Sequence, residues 1–187
     1  MSRVIAGTYG GRRIATPPGV DTRPTADRVR EAMFSALDAT HVLYGRRFLD
    51  LYAGSGAVGL EAASRGAGHV LLVESDPRVV RVIRENIAML GAGRVASVTP
   101  GRVAHVLAGG PGGDPFDTVF ADPPYATAEE DLAAMLAALT GHGWLNAGAQ
   151  VIVERSKRSP EPAWPPELTA ERSRRYGETM LWYGRRS

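Results

Sequence analysis

A short apolar run, Phe48-Leu49-Asp50-Leu51, leads through Tyr52-Ala53 into Gly54-Ser55-Gly56-Ala57-Val58-Gly59, and helix-forming residues follow to Arg65. A strand that turns on glycines into a helix is the opening unit of a parallel α/β sheet. The alternation then repeats. His69 to Glu74 reads as a second strand. Pro77 to Leu90 reads as a helix capped by Asp76, with Pro77 at its first position and an apolar stripe of Val79, Val80, Ile83, Ile87 and Leu90. Arg94 to Val98 and Phe116 to Ala121 read as the third and fourth strands, Ala128 to Leu139 as a helix and Ala149 to Glu154 as a fifth strand. After a proline-rich stretch, Ser159 to Pro166, two last strands are predicted, about Leu168 to Tyr176 and Glu178 to Tyr183, joined at Gly177. Such alternation implies a parallel sheet covered by helices on both faces.

The front of the chain differs. Arg3 to Gly7 and Arg12 to Thr16 are short extended runs around the turn residues Thr8-Tyr9-Gly10-Gly11, which predicts a small hairpin ended by Pro17-Pro18-Gly19. Residues 25–39 read as a helix with Thr25 as N-cap, Asp27 in its first turn, and Val29, Met33, Ala36 and Leu37 on one face. The expected organisation is a hairpin extension over residues 1–20 and one α/β domain over 21–187.

Composition removes several function classes. With no cysteine, disulfides and thiolate metal sites are excluded, and the four histidines, His41, His69, His105 and His142, show no ligand spacing, so no metal is expected. No apolar run approaches the roughly 20 residues of a membrane span. The N-terminus lacks the apolar segment of a secretory signal, so a cytoplasmic protein is expected. Net charge is +2 but uneven: residues 1–47 carry eight Arg against four acids, residues 155–187 carry seven Arg and Lys157 against four acids, and residues 48–154 carry six Arg against twelve acids. Basic ends around an acidic middle fit either a grip on a polyanion or ordinary solvated charge.

Chemistry concentrates at two places. The glycine turn permits close backbone approach to a ligand, and Glu74, ending the next strand, is placed to accept hydrogen bonds from ribose hydroxyls. Those features suit a nicotinamide dinucleotide as well as S-adenosylmethionine. Asp50 at the strand end favours the second, because a carboxylate there suits a cationic amino-acid tail and repels a pyrophosphate. The other place is Asp122-Pro123-Pro124-Tyr125, directly after the fourth strand. Two prolines remove two N–H donors, which leaves acceptors and an aromatic face: a surface for a planar ring with an exocyclic amine. Ligands in open α/β sheets gather at the C-terminal ends of the strands, so both places should face one crevice. Arg102 and Val103, after the third strand, are candidates for the adenine side of that crevice or for a plain connection. Together the pair suggests methyl transfer from S-adenosylmethionine to a base amine.

The Asp50 to Gly56 turn, Glu74 and Asp122 to Tyr125 are similar to the class I S-adenosylmethionine-dependent amino-methyltransferases. The front segment, Arg3-Val4-Ile5-Ala6-Gly7 and Gly11-Arg12-Arg13, then Thr22-Arg23-Pro24-Thr25-Ala26-Asp27-Arg28-Val29-Arg30-Glu31-Ala32-Met33-Phe34, resembles the RsmD family. The resemblance runs from residue 3 to about 185. It implies a Rossmann-like class I methyltransferase sheet of seven strands with the last one antiparallel, preceded by a small hairpin. It implies methylation of the guanine N2 amine of one nucleotide in 16S ribosomal RNA, with assembled or assembling 30S subunits as partner. By that resemblance Asp50, Tyr52, Ala53, Gly54, Ser55, Gly56 and Glu74 hold the cofactor, and Asp122, Pro123 and Tyr125 hold the target base. The chain departs from many methyltransferases at Gly101-Arg102, where an acid or Asn is usual near the adenine.

Arg12, Arg13, Arg23, Arg28 and Arg30 are the arginines expected to grip RNA, and the protein is expected to act as a monomer. An adenine-N6 methyltransferase shares the site chemistry but needs a module to read duplex sequence, for which no loop here is long enough. A nicotinamide-dependent oxidoreductase would use the glycine turn but leave Asp50 and the Pro-Pro-Tyr loop without a role.

Overall fold

The computed structural model describes residues 2–19, 24–40 and 43–187. Two short strands, β1 (Ser2–Arg3) and β2 (Arg13–Ile14), pair antiparallel. Helix α1 (Pro24–Ala39) follows. Then come β3 (Arg47–Leu51), α2 (Ala57–Ser64), β4 (His69–Glu74), α3 (Pro77–Leu90), β5 (Ala96–Pro100) and α4 (Val103–Ala108). The chain continues as β6 (Phe116–Ala121), α5 (Glu129–Gly141), β7 (Leu145–Ser156), β8 (Leu168–Tyr176) and β9 (Thr179–Arg186). Seven strands form one sheet in the order β5-β4-β3-β6-β7-β9-β8, parallel from β5 to β7, with β9 antiparallel to both its neighbours. The strand order reverses between β3 and β6, and that switch point opens a crevice at the C-terminal ends.

Apolar residues fill both sheet faces. Val29, Met33 and Leu37 of α1, with Leu60, Ile83, Ile87 and the hairpin's Val4 and Ile14, cover one face. Leu107, Leu132, Leu136, Leu139 and Trp144 cover the other, where Trp144 stacks on Phe116 and donates its indole N–H to the Leu107 carbonyl at 2.8 Å. Among the described residues no helix is long and apolar enough to cross a membrane.

The sequence and the structure differ at element ends. The hairpin strands are two residues each because residues 4–12 close a wider turn, held by Val4 N–H to the Arg12 carbonyl and Gly11 N–H to the Val4 carbonyl. Helix α1 begins at Pro24, so Thr25 lies inside it rather than capping it. Helix α4, six residues long, is too short to show a helical period in the sequence. Strand β5 is shifted two residues towards the crevice, and β7 begins four residues earlier than its apolar run.

An acid of α2 fastens the N-terminal segment to the sheet. Glu61 is fully buried; its oxygens accept from Ile5 N–H (2.8 Å) and Ala6 N–H (3.1 Å), and its carboxylate faces Arg65 (2.9 Å) and Arg30 (3.8 Å). Asn86 of α3 does similar work. It is buried, exchanges hydrogen bonds with Ala15 in both directions, and donates to the Ser55 carbonyl at 3.0 Å, tying the glycine turn to the segment after the hairpin.

Candidate active site

The glycine turn begins on a strained residue. Tyr52 has φ 60°, the left-handed region that few non-glycine residues occupy, and it throws the chain from β3 into the turn. Gly56, at φ 85°, stands at the N-cap of α2, where a side chain would be strained. Gly59 serves close approach: a Cβ there would lie 2.8 Å from the Leu72 side chain, so its absence lets α2 settle on β4.

Asp50 anchors this geometry from beneath. It is 1% exposed and accepts the Gly59 N–H at 2.8 Å. Burial pushes its pKa well above the usual carboxylate range, with Asp122 and Glu74 adding to the effect. Glu74 accepts Gly54 N–H at 3.0 Å through one oxygen and Asp76 N–H at 2.9 Å through the other. Both acids therefore shape the turn as well as lining the space around it.

Two hollows meet at Tyr52 and Asp122. A crevice of about 830 Å³ runs over Glu74, Gly101, Arg102, Val103 and Asp122 to Tyr125. A smaller cavity of about 260 Å³ lies between α1 and the sheet, lined by Asp27, Met33, Asp50, Gly54, Ser55, Asp122 and Glu154 among others. Val103 is buried in the crevice wall, whereas Arg102 is exposed as the N-cap of α4. Tyr125 is 76% exposed, so its ring is not a core residue.

Sequence reasoning missed two residues of β7. Ala121 of β6 pairs with Val153 of β7, which sets Asp122 beside Glu154, and the two carboxyl groups share a hydrogen bond. Asp122 opens to solvent through the crevice yet is closely ringed by protein. Burial raises Asp122 to about 6, against the pull of its bond to Glu154 and of Arg155. Burial and the charge of Asp122 raise Glu154 to about 8. The pair therefore holds one proton across neutral pH. Arg155, buried on the next position, donates to the carbonyls of Pro124 (3.4 Å) and Thr127 (3.2 Å) and pairs with Glu129 at 3.0 Å, fixing the Pro-Pro-Tyr loop from behind. An acid followed by an arginine at the end of an apolar strand was the only trace of this in the sequence.

Four of the five expected RNA arginines lie in the described residues and separate into three groups. Arg30 is corrected: it is 5% exposed, donates to the Arg3 carbonyl at 2.6 Å and pairs with Asp27 and Glu61, so it joins α1 to the hairpin and is closed to RNA. Arg12 is exposed but spends its guanidinium on the Met89 and Leu90 carbonyls at the end of α3. Arg13 and Arg28 are exposed, and Arg23 lies outside the described residues.

Three acids, Asp50, Asp122 and Glu154, line one small cavity, and burial lifts the pKa of each, a setting that a positively charged ligand would stabilise. The family described as Conserved hypothetical protein 95 matches residues 2–185. Ribosomal RNA small subunit methyltransferase D of Escherichia coli K12 is 34% identical over 176 residues, covering 94% of this chain and 85% of that protein. The chain belongs to the RsmD family.

Solved structures agree with this family assignment. The Escherichia coli protein yhhF superimposes with a TM-score of 0.87 at 34% identity, over 100% of this chain and 98% of that one. The magnesium protoporphyrin IX methyltransferase of Synechocystis PCC 6803 with bound S-adenosylmethionine has the same fold, with a TM-score of 0.70 at 15% identity over 90% of this chain and 87% of that one. The protein is a methyltransferase that uses S-adenosylmethionine, and its Escherichia coli relative is named for small-subunit ribosomal RNA. Among the described residues no group of three or more His, Asp or Glu is arranged to hold a metal ion.

Proposed function

We propose that this protein methylates the N2 amine of one guanine in 16S ribosomal RNA, acting on assembled or assembling 30S subunits. The observation that carries the reading is Asp122: a carboxylate at the junction of both hollows, next to an exposed aromatic ring, on a loop stripped of two donors by proline. The compact loops add support, because a substrate that supplies its own shape needs no separate reading module. Asp50, Gly54, Ser55 and Glu74 would hold the cofactor, with Val103 against its adenine. Bound S-adenosylmethionine supplies a methyl group on a cationic sulfur, open to in-line displacement.

The remaining work falls to the chain. Guanine N2 is a weak nucleophile because its lone pair delocalises into the ring. Hydrogen bonds from N2–H to Asp122 and to the Pro123 carbonyl favour a tetrahedral amine and stabilise the positive charge that develops there. Stacking on Tyr125 contributes roughly 1–3 kcal/mol to holding the base, which reaches the loop from an open region of RNA or by leaving its stack. The methylated amine then loses a proton to the ionised member of the Asp122–Glu154 pair, directly or through water, and the pair returns it to solvent.

Tritiated S-adenosylmethionine incubated with 30S subunits from a strain lacking this gene, followed by mapping of the labelled base, tests the reading. Label on guanine N2 at one position is expected; label only on adenine N6, or none on subunits, naked ribosomal RNA or assembly intermediates, sinks it.

The carboxyl pair sets the pH dependence. Below about 6 both groups are protonated and neither can take the amine's proton; above about 8 both are ionised, and two like charges in contact push Asp122 from its place. A bell-shaped profile of kcat/KM with these limbs is expected. Glu154→Gln keeps a donor towards Asp122 but cannot ionise, so the alkaline limb should vanish while the acid limb stays. An unchanged alkaline limb in this variant would assign it elsewhere.

A further inference from the structure

The sheet carries one row of positions from the active site to its far edge. Asp122 stands beside Glu154, Glu154 pairs with Leu181 of β9, and Leu181 pairs with Arg174 of the edge strand β8. Three strand spacings make this about 14 Å. Around the end of that row lie Arg158, Arg174 and Arg175, all exposed. None of the three has a carboxylate partner among the described residues: Arg174 donates to the Ser173 carbonyl, Arg175 to the Gly177 carbonyl, and the Arg158 guanidinium makes no hydrogen bond there. Neighbouring Lys157 is paired with Glu178, and Arg172 lies over the Tyr183 ring at 4.4 Å.

Cations along an edge strand often serve only to prevent pairing with another chain. That role would spread them along the whole edge. Here the half of the β8–β9 ribbon remote from Asp122 carries Arg172, Arg185 and Arg186 against Glu167 and Glu171, with Arg185 paired to Glu171, while the half nearest Asp122 carries Arg174 and Arg175, with Lys157 and Arg158 alongside, against Glu178, which pairs with Lys157. At the N-terminal end Arg12 and Arg30 are committed to the fold, which leaves Arg13 and Arg28 as the exposed cations there.

We infer that Arg158, Arg174 and Arg175 form a phosphate-binding rim that holds the RNA backbone flanking the target nucleotide. The inference rests on the RNA reading given above. A base held at Asp122 and Tyr125 leaves its own strand running over the adjacent sheet edge. Exposed guanidiniums there meet phosphates without reading sequence, so they position the substrate and leave the choice of base to the crevice.

The test compares wild type, the triple variant Arg158→Gln/Arg174→Gln/Arg175→Gln, Arg158→Gln alone, and Arg81→Gln/Arg84→Gln on the exposed side of α3, all with 30S subunits over a series of salt concentrations. The triple variant should raise KM about tenfold or more with kcat within about twofold. It should also flatten the log–log salt dependence by about 2, near 0.7 for each phosphate that is no longer neutralised. Arg158→Gln should give a smaller loss in the same direction, and the α3 control none, with cofactor affinity by calorimetry equal throughout. Wild-type KM and salt slope in the triple variant overturn the rim; so does an equal loss in the α3 control, which would signal non-specific charge. Failure of wild type itself to label any ribosomal substrate, with cofactor still bound, overturns the RNA reading and the rim together.

Discussion

Asp122→Ala should lower turnover by about 10²–10³-fold or more while leaving S-adenosylmethionine affinity within a few-fold of wild type. The two effects separate because Asp122 faces both hollows but holds none of the glycine turn: Gly54 N–H is taken by Glu74 and Gly59 N–H by Asp50. Alanine removes the acceptor that meets the amine and the group that takes its proton. The loop itself should stay in place, since Arg155 holds the Pro124 and Thr127 carbonyls independently of the Asp122 side chain. Asp122→Asn is the informative companion. It retains one acceptor oxygen and the shape of the side chain but no charge, so its loss should be clearly smaller. Single-turnover kinetics and calorimetry check both points. Turnover within tenfold of wild type in the alanine variant would remove Asp122 from the chemistry, and a parallel collapse of cofactor affinity would make it a binding residue.

What could be read from the sequence divides along local and distant physics. The glycine turn, Asp76 at the start of α3 and the Asp-Pro-Pro-Tyr loop are legible because their conformations are set by residues a few positions apart. The parallel sheet is legible because strand and helix periods alternate. Glu154 is not, since its meaning comes from the register between β6 and β7, and an acid ending an apolar strand looks like any solvent-facing terminus. The arginines show the same limit. Arg30 and Arg28 lie two residues apart on one helix, yet one is buried against Glu61 and the other is exposed, a difference decided by a partner more than thirty residues away. Regional charge pointed to both basic ends, and only the placement of each guanidinium separates those that hold the fold from those left for a polyanion.

Glu61→Ala should cause the largest loss of stability of any single change in the N-terminal junction, about 3–5 kcal/mol, with Tm lowered by roughly 10 °C. The residue is fully buried and serves four partners at once: two backbone N–H groups of the hairpin segment and the guanidiniums of Arg30 and Arg65. Truncation leaves Arg30 without its largest compensating charge; burial already lowers its pKa, opposed mainly by Glu61. Arg65 retains Asp38 and Glu31 and suffers less. Glu61→Gln should be nearly as harmful, because an amide offers one acceptor oxygen to two N–H donors and turns its own N–H groups towards cations. Urea unfolding monitored by tryptophan fluorescence measures the loss, and a change below about 1 kcal/mol would show that the junction relaxes around the gap. The consequence reaches the site, because Ser2, Asp27, Arg30 and Met33 form the α1 side of the smaller cavity. A variant that remains folded at low temperature should therefore bind S-adenosylmethionine more weakly, and the deficit should shrink as stabilising osmolyte is added, since the change removes the attachment of the cavity wall and leaves the ligand's own partners in place.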